Sequence, residues 1–233
     1  MNTCKLCGRD YVKLSAERYP AHSVGNDDLV KVDFQKLVAP CSFTNISEAN
    51  YFFENEIIVE AYPKGRTVDA LCQECNELLG RYDESYKRFF DVDGNPKTVK
   101  GFQTKTKFHI IKAIYGKFLS IPEASDQKFD FVDFVKNPDN TTYKGKWNLY
   151  FMKRNPQELK LGMASYNTYK QEFDEGVVYE MGDAKFVFNL MNFEKHSYFK
   201  MNSIFDILGR YRLVTDDGTQ INYHWQNLIF GNL

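Results

Sequence analysis

The sequence predicts an α+β protein, with helices and paired cysteines in its N-terminal half and a mainly antiparallel β region in its C-terminal half. Three observations carry this. Cys4-x-x-Cys7 and Cys72-x-x-Cys75 set four thiols in two short turns. Leu78, Leu79, Tyr82, Tyr86 and Phe89 recur at three- and four-residue spacing, the period of a helix with one buried face. Beyond about residue 125 the apolar pattern changes to period two with turn residues between the runs, the mark of hairpins. The chain divides on this reading into residues 1–122 and residues 123–233.

The cysteines decide most. The N-terminus has no apolar core of an export signal, so the chain reads as cytoplasmic, where thiols stay reduced and disulfides are disfavoured. Four thiolates in two CxxC turns are the number and type that a tetrahedral structural zinc takes. Sixty-four residues separate Cys7 from Cys72, where compact zinc modules use about 15 to 20. About two doublings of loop length add about 1.2 kcal/mol of closure entropy. Zinc binding supplies on the order of 10 kcal/mol, so the metal wins. The intervening segment reads as an insertion tied at both ends by the ion. Cys41, alone after Pro40, reads as a packed thiol.

Element by element, Gly8-Arg9 turns the first knuckle, and residues 19–28 form a loop by their Pro, Gly and Asn content. Segments 29–38 and 57–62 are strands or short helices. A helix runs from Cys75 to about Phe90, broken by Asp91 to Pro96. From Pro96 to Lys117 there are six lysines and no acid, in a chain of net charge −1. Within that stretch Phe108, Ile111, Ile114, Tyr115, Phe118 and Leu119 form an apolar helical stripe. Lys105, His109, Lys112 and Gly116 share another face, either solvated or contacting phosphates. Strands follow at Trp147–Met152 and in hairpins at 177–190 and 211–224, the second turning on Asp-Asp-Gly.

Composition excludes several classes. With 43% hydrophobic and 26% charged residues the chain has a globular balance, and no apolar run nears the roughly 20 residues of a membrane helix. Near-neutral charge excludes coating of nucleic acid by bulk charge, though not a local basic patch. There is no glycine-rich phosphate loop and no nucleophile elbow, which disfavours P-loop ATPase, kinase and α/β-hydrolase chemistry.

Over roughly residues 1–120 the order of elements resembles zinc-stabilised HNH endonucleases of the ββα-metal, treble-clef type. The residues that carry the resemblance are Cys4-Lys5-Leu6-Cys7, Ala21-His22-Ser23-Val24-Gly25-Asn26, and Leu71-Cys72-Gln73-Glu74-Cys75-Asn76 followed by Tyr82-Asp83. The resemblance implies a treble-clef-like N-terminal unit with a structural Zn2+ on Cys4, Cys7, Cys72 and Cys75. It implies His22 as general base for phosphodiester hydrolysis and Asn76 as a helper in holding a working Mg2+ or Mn2+. Asn26, Asn50 and Asn55 are alternatives for a middle residue, and Glu17, Asp27 and Asp28 for a metal-binding carboxylate. DNA is the expected substrate, with Lys100, Lys105, Lys107 and Lys112 as phosphate contacts and a possible protein partner on the C-terminal region. The alternative is a catalytically inactive zinc-stabilised module that binds nucleic acid or a protein, as in phage–host conflict. A redox dithiol is a third reading. His109, His196 and His224 read as structural, and Asp130, Asp133 and Asp139 as solvated.

Overall fold

The N-terminal knuckle forms because two short strands close it. In the computed structural model, which describes residues 1–27, 29–33, 35–36, 42–94, 104–154, 168–194 and 201–204, β1 (Asn2–Thr3) pairs antiparallel with β2 (Asp10–Tyr11). Gly8 takes a left-handed φ of 72°, a conformation free of steric cost only without a side chain, and its N–H reaches the Cys4 carbonyl at 2.8 Å. β3 (Ser15–Arg18) then pairs antiparallel with β6 (Thr67–Leu71). Helix α2 (Gln73–Asp91) follows β6 at once, with Cys72 at its N-cap.

The segment between β3 and β6 leaves through a narrow neck. A 3-10 turn at His22–Val24 ends on Gly25 in the left-handed region. Asn26, wholly buried, donates to the carbonyls of Pro20 (2.7 Å) and Arg66 (2.9 Å) and accepts from the Arg66 N–H (2.6 Å). Its backbone also presses on Gly65, where a Cβ would meet the Asn26 carbonyl at 2.2 Å. Beyond the neck, β4 (Leu29–Val32) and β5 (Ile58–Tyr62) pair as a two-stranded ribbon, and α1 (Ile46–Phe52) buries none of its residues. Both ambiguous segments therefore contain strands. Asn26→Ala is expected to cost about 3 kcal/mol, since three backbone groups lose that partner together, and urea unfolding measures it.

Helix α2 buries Leu79, Tyr82, Tyr86 and Phe89 of the five residues that the spacing predicts, with Cys75 and Ser85 beside them, while Leu78 is half-buried. It ends where Asp93 and Gly94 take positive φ and their N–H groups bond back to Phe90 and Phe89. Helix α3 (Thr104–Phe118) packs on α2 with Gly116 at the approach, where a Cβ would sit 2.7 Å from Leu79 Cδ2. Every residue from Ile110 to Ile121 is buried, so α3 has no solvated face over its C-terminal half. A 3-10 turn at Pro122–Ala124 and the short α4 (Val132–Lys136) lead into the sheet.

That sheet is built from β7 (Asn148–Lys153), β8 (Thr168–Phe173), β9 (Gly176–Gly182), β10 (Phe186–Met191) and β11 (Asn202–Ser203). It is antiparallel throughout, in the order β11-β7-β10-β9-β8. The first expected hairpin is β9–β10; the hairpin expected at 211–224 lies outside the described residues. One apolar cluster runs from Cys4 and Leu6 through α2 and α3 to Phe186, Phe188 and Ile204. Aromatic rings join its layers, with Phe89 5.4 Å from Phe186 and Tyr86 5.9 Å from Phe188. No helix among the described residues is long and apolar enough to cross a membrane.

Candidate metal centre

The β1–β2 knuckle and the first turn of α2 meet at four sulfurs. The Sγ atoms of Cys4, Cys7, Cys72 and Cys75 all lie within 4.8 Å of one another. Cys4, Cys72 and Cys75 are buried, while Cys7 keeps partial access to solvent. The Cys7 and Cys72 sulfurs are 3.9 Å apart, against about 3.8 Å for two sulfurs each 2.3 Å from a shared tetrahedral ion. The residues present thus fit a metal ion, and an all-thiolate set of four is the composition of closed zinc sites.

Donors surround the sulfurs as an anionic cluster requires. The Cys72 N–H points at Cys4 Sγ (3.3 Å), joined there by the backbone N–H groups of Leu6 and Cys7. Arg9 N–H serves Cys7 and Cys75 N–H serves Cys72. Burial opposes ionisation of Cys7, yet these donors, with the Arg9 guanidinium and the Tyr11 hydroxyl, bring it down to about 6. Cys72 is also lowered against the pull of burial. Burial raises Cys4 and Cys75. The donors thus favour the thiolate at Cys7 and Cys72, and a bound cation would draw protons off the set. Arg9 also bonds Glu74 at 3.0 Å, clipping the knuckle to α2.

The expected catalytic residues are engaged within the scaffold. His22 opens the 3-10 turn after β3, half exposed, with Nε2 3.3 Å from an Asp27 carboxylate oxygen. Asn76 sits in the first turn of α2 and donates to Ser15 Oγ (3.1 Å), pinning that turn to β3. Asn26 is the neck residue described above. Asn55 bonds the Tyr51 carbonyl in the insertion, and Asn50 lies in α1. Among the described residues, the four cysteines form the one group of three or more His, Cys, Asp or Glu placed to hold an ion, so Asp130, Asp133 and Asp139 are not gathered into a second.

The lysines divide. Lys105 is exposed and Lys107 half-buried, its ammonium over the Phe108 ring; Lys100, Cys41, Asp28, His196 and His224 lie outside the described residues. Lys112 departs from the phosphate-facing role expected of it. It is fully buried, donating to the carbonyls of Asn137 (2.6 Å) and Pro138 (3.0 Å), because α3 is covered on more than one side. The His109 ring lies against Tyr82, tilted by 49° with centroids 4.7 Å apart, and burial together with Lys105 and Lys112 pushes it down to about 4, so it is neutral at pH 7.

The structure adds two buried polar clusters that the sequence does not reveal. Lys117, 7% exposed in its side chain, is held between Glu17 of β3 and Asp83 of α2, the latter at 2.7 Å. Burial lowers Lys117, but the two carboxylates outweigh it and raise it; burial raises both carboxyls. Close by, Asp183 accepts from Tyr86 Oη and from the N–H groups of Lys185 and Phe186 (both 2.8 Å), which forms the β9–β10 turn. Both clusters border a cavity of about one water's size, walled otherwise by residues such as Pro20, Met181 and Phe188.

Burial lifts Asp183 to about 6, and its hydrogen bonds only partly offset this. A raised folded-state pKa gives stability that is complete below the unfolded value and lost as pH rises through the folded one. With zinc saturating, unfolding free energy is therefore expected to fall between pH 5 and pH 7. Asp183→Asn should flatten that fall, as read by urea titrations at the two pH values; an unchanged slope would assign it to other groups. Comparison with protein-family models, with curated proteins and with solved structures finds no match for the chain.

Proposed function

We propose that Cys4, Cys7, Cys72 and Cys75 hold a structural Zn2+, and that the chain is a zinc-stabilised, HNH-like module of treble-clef build whose task is binding. The supporting observation is the gathering of four thiols, three of them buried, with N–H groups aimed at sulfur. A closed all-thiolate set leaves no open position for a substrate, so the ion's contribution is to folding. The order of knuckle, β3–β6 hairpin and α2 is consistent with that build. Asn76, tied to Ser15, spends its amide on the scaffold, which favours binding over hydrolysis. The bound partner is nucleic acid or a protein, and Lys105 is the exposed described cation of the acid-free stretch.

A metal-dependent nuclease is the second reading, favoured by the Asp27 carboxylate beside His22. That contact would orient the imidazole and leave Nδ1 to accept a proton from water. Mg2+ or Mn2+, held with the help of Asn76, would supply charge neutralisation at the scissile phosphate of DNA.

Metal analysis with plasmid nicking, on the parent chain and His22→Ala side by side, separates the readings. About one zinc per chain without nicking is expected of the binding module. Mn2+-dependent nicking that disappears in His22→Ala would replace it with the nuclease. Absence of zinc would overturn both.

A further inference from the structure

The four sulfurs are unequal in access, and the inequality has a chemical consequence. Cys4 is wholly enclosed, and Cys72 and Cys75 are 2% and 6% exposed. Cys7 is the one of the four that is not buried. It sits on the outer side of the knuckle, beside the Tyr11 hydroxyl at 3.8 Å, with the Cys72 sulfur 3.9 Å away behind it. An attacking small molecule therefore meets one sulfur first and finds a second thiol within reach of it.

We infer that Cys7 is a site of oxidative modification by hydrogen peroxide or a comparable small hydroperoxide, with Cys72 as its resolving partner, and that the pair releases the ion when it forms a disulfide. The inference rests on the structural-zinc reading above. In the first step the Cys7 sulfur attacks one peroxide oxygen. An S–O bond forms, the O–O bond breaks and hydroxide leaves to be protonated by solvent; sulfur loses two electrons and peroxide gains them. In the second step the Cys72 sulfur attacks the Cys7 sulfenic acid. The S–S bond forms, the S–O bond breaks, and the departing hydroxide becomes water. Two of the four thiolates are then consumed, and the remaining two do not make a closed zinc site. A thiol reductant restores both sulfurs.

Access rather than chemistry ranks the sulfurs. All four would share one ion, and a peroxide must touch the sulfur it oxidises. Cys4 and Cys72 are both enclosed, and proximity selects the partner, since the Cys72 sulfur lies 3.9 Å from that of Cys7. The Cys7–Cys72 bridge crosses between the two knuckles and so ties the knuckle strands to the start of α2.

The test uses the 233-residue chain carrying Cys41→Ser, so that the fifth thiol consumes no oxidant. Zinc content is measured first. Less than stoichiometric zinc at that point overturns the metal reading itself, whatever the outcome of oxidation. Zinc-loaded protein is then given one equivalent of hydrogen peroxide with a chromophoric zinc chelator, and the cysteine peptides are mapped by mass spectrometry. The expected result is one zinc released per Cys7–Cys72 disulfide formed, reversed by dithiothreitol and added zinc. Pulse alkylation of the loaded protein before oxidation should label Cys7 about tenfold faster than the other three. Zinc retained after the peroxide is consumed, first labelling at Cys4, Cys72 or Cys75, or a bridge other than Cys7–Cys72 would overturn the inference while leaving the zinc site intact.

Discussion

Stripping the proposed zinc with a strong chelator at neutral pH is expected to unfold the N-terminal unit, and Cys75→Ala should do the same without chelator. Structural zinc supplies on the order of 10 kcal/mol, comparable to the whole stability of a typical domain at about 5–15 kcal/mol. The four thiols also sit within the main apolar cluster, since Cys4, Cys72 and Cys75 pack with Leu6, Leu71 and Leu79. Loss of the ion would therefore leave a polar, mutually repelling group against the base of α2. Trp147 is fully buried in that cluster and reports the change by fluorescence. A melting curve unmoved by chelation would show that the thiols need no metal to sit where they do.

Lys117→Met is expected to cost about 3–5 kcal/mol at pH 7.5, the range for removing one partner of a buried ion pair. Methionine fills the volume of the stem, so the loss is electrostatic. Glu17 and Asp83 would face each other across an apolar site with no cation, and one Asp83 oxygen already has no hydrogen-bond partner. Both carboxyls are raised by burial even in the presence of Lys117. Without it they rise further, and a raised carboxyl is stabilised by protonation, so the penalty should shrink as pH falls. Urea unfolding of parent and variant at pH 7.5 and 5.5 reads this directly. An equal penalty at both pH values would mean that packing, not charge, is what Lys117 contributes.

These two sites differ in how far the sequence discloses them. Two CxxC turns are local patterns of a rare residue type, and their chemistry follows from spacing even across a 64-residue gap. Helix α2 is legible for the same reason, because one buried face leaves a periodic trace. Lys117 leaves none. Its partners are 100 and 34 residues away in sequence, and helical projection treats a lysine off the apolar stripe as solvated. That projection assumes a single buried face, whereas α3 is enclosed from Ile110 onward and takes Lys112 and Lys117 inside with it. The visible hint is the near absence of polar residues around them between Ile110 and Leu119. Strand β3 is equally hidden, since Ser15-Ala16-Glu17-Arg18 has no apolar alternation and owes its conformation to pairing with β6. His22 and Asn76 are legible as residue types, but it is the fold that brings one to Asp27 and the other to Ser15.

The Asn26 neck makes the insertion a graft point. Asn26 and Arg66 are held together by two hydrogen bonds, and a third ties Asn26 to Pro20, so the chain between Asn26 and Arg66 begins and ends at one place whatever its length. Doubling that chain adds only about 0.6 kcal/mol of closure entropy. The ribbon and α1 could be exchanged for a foreign domain with the four sulfurs unmoved, and a recognition surface could change there without renegotiating the metal or the core. A fold arranged this way can alter what it touches while keeping what holds it together.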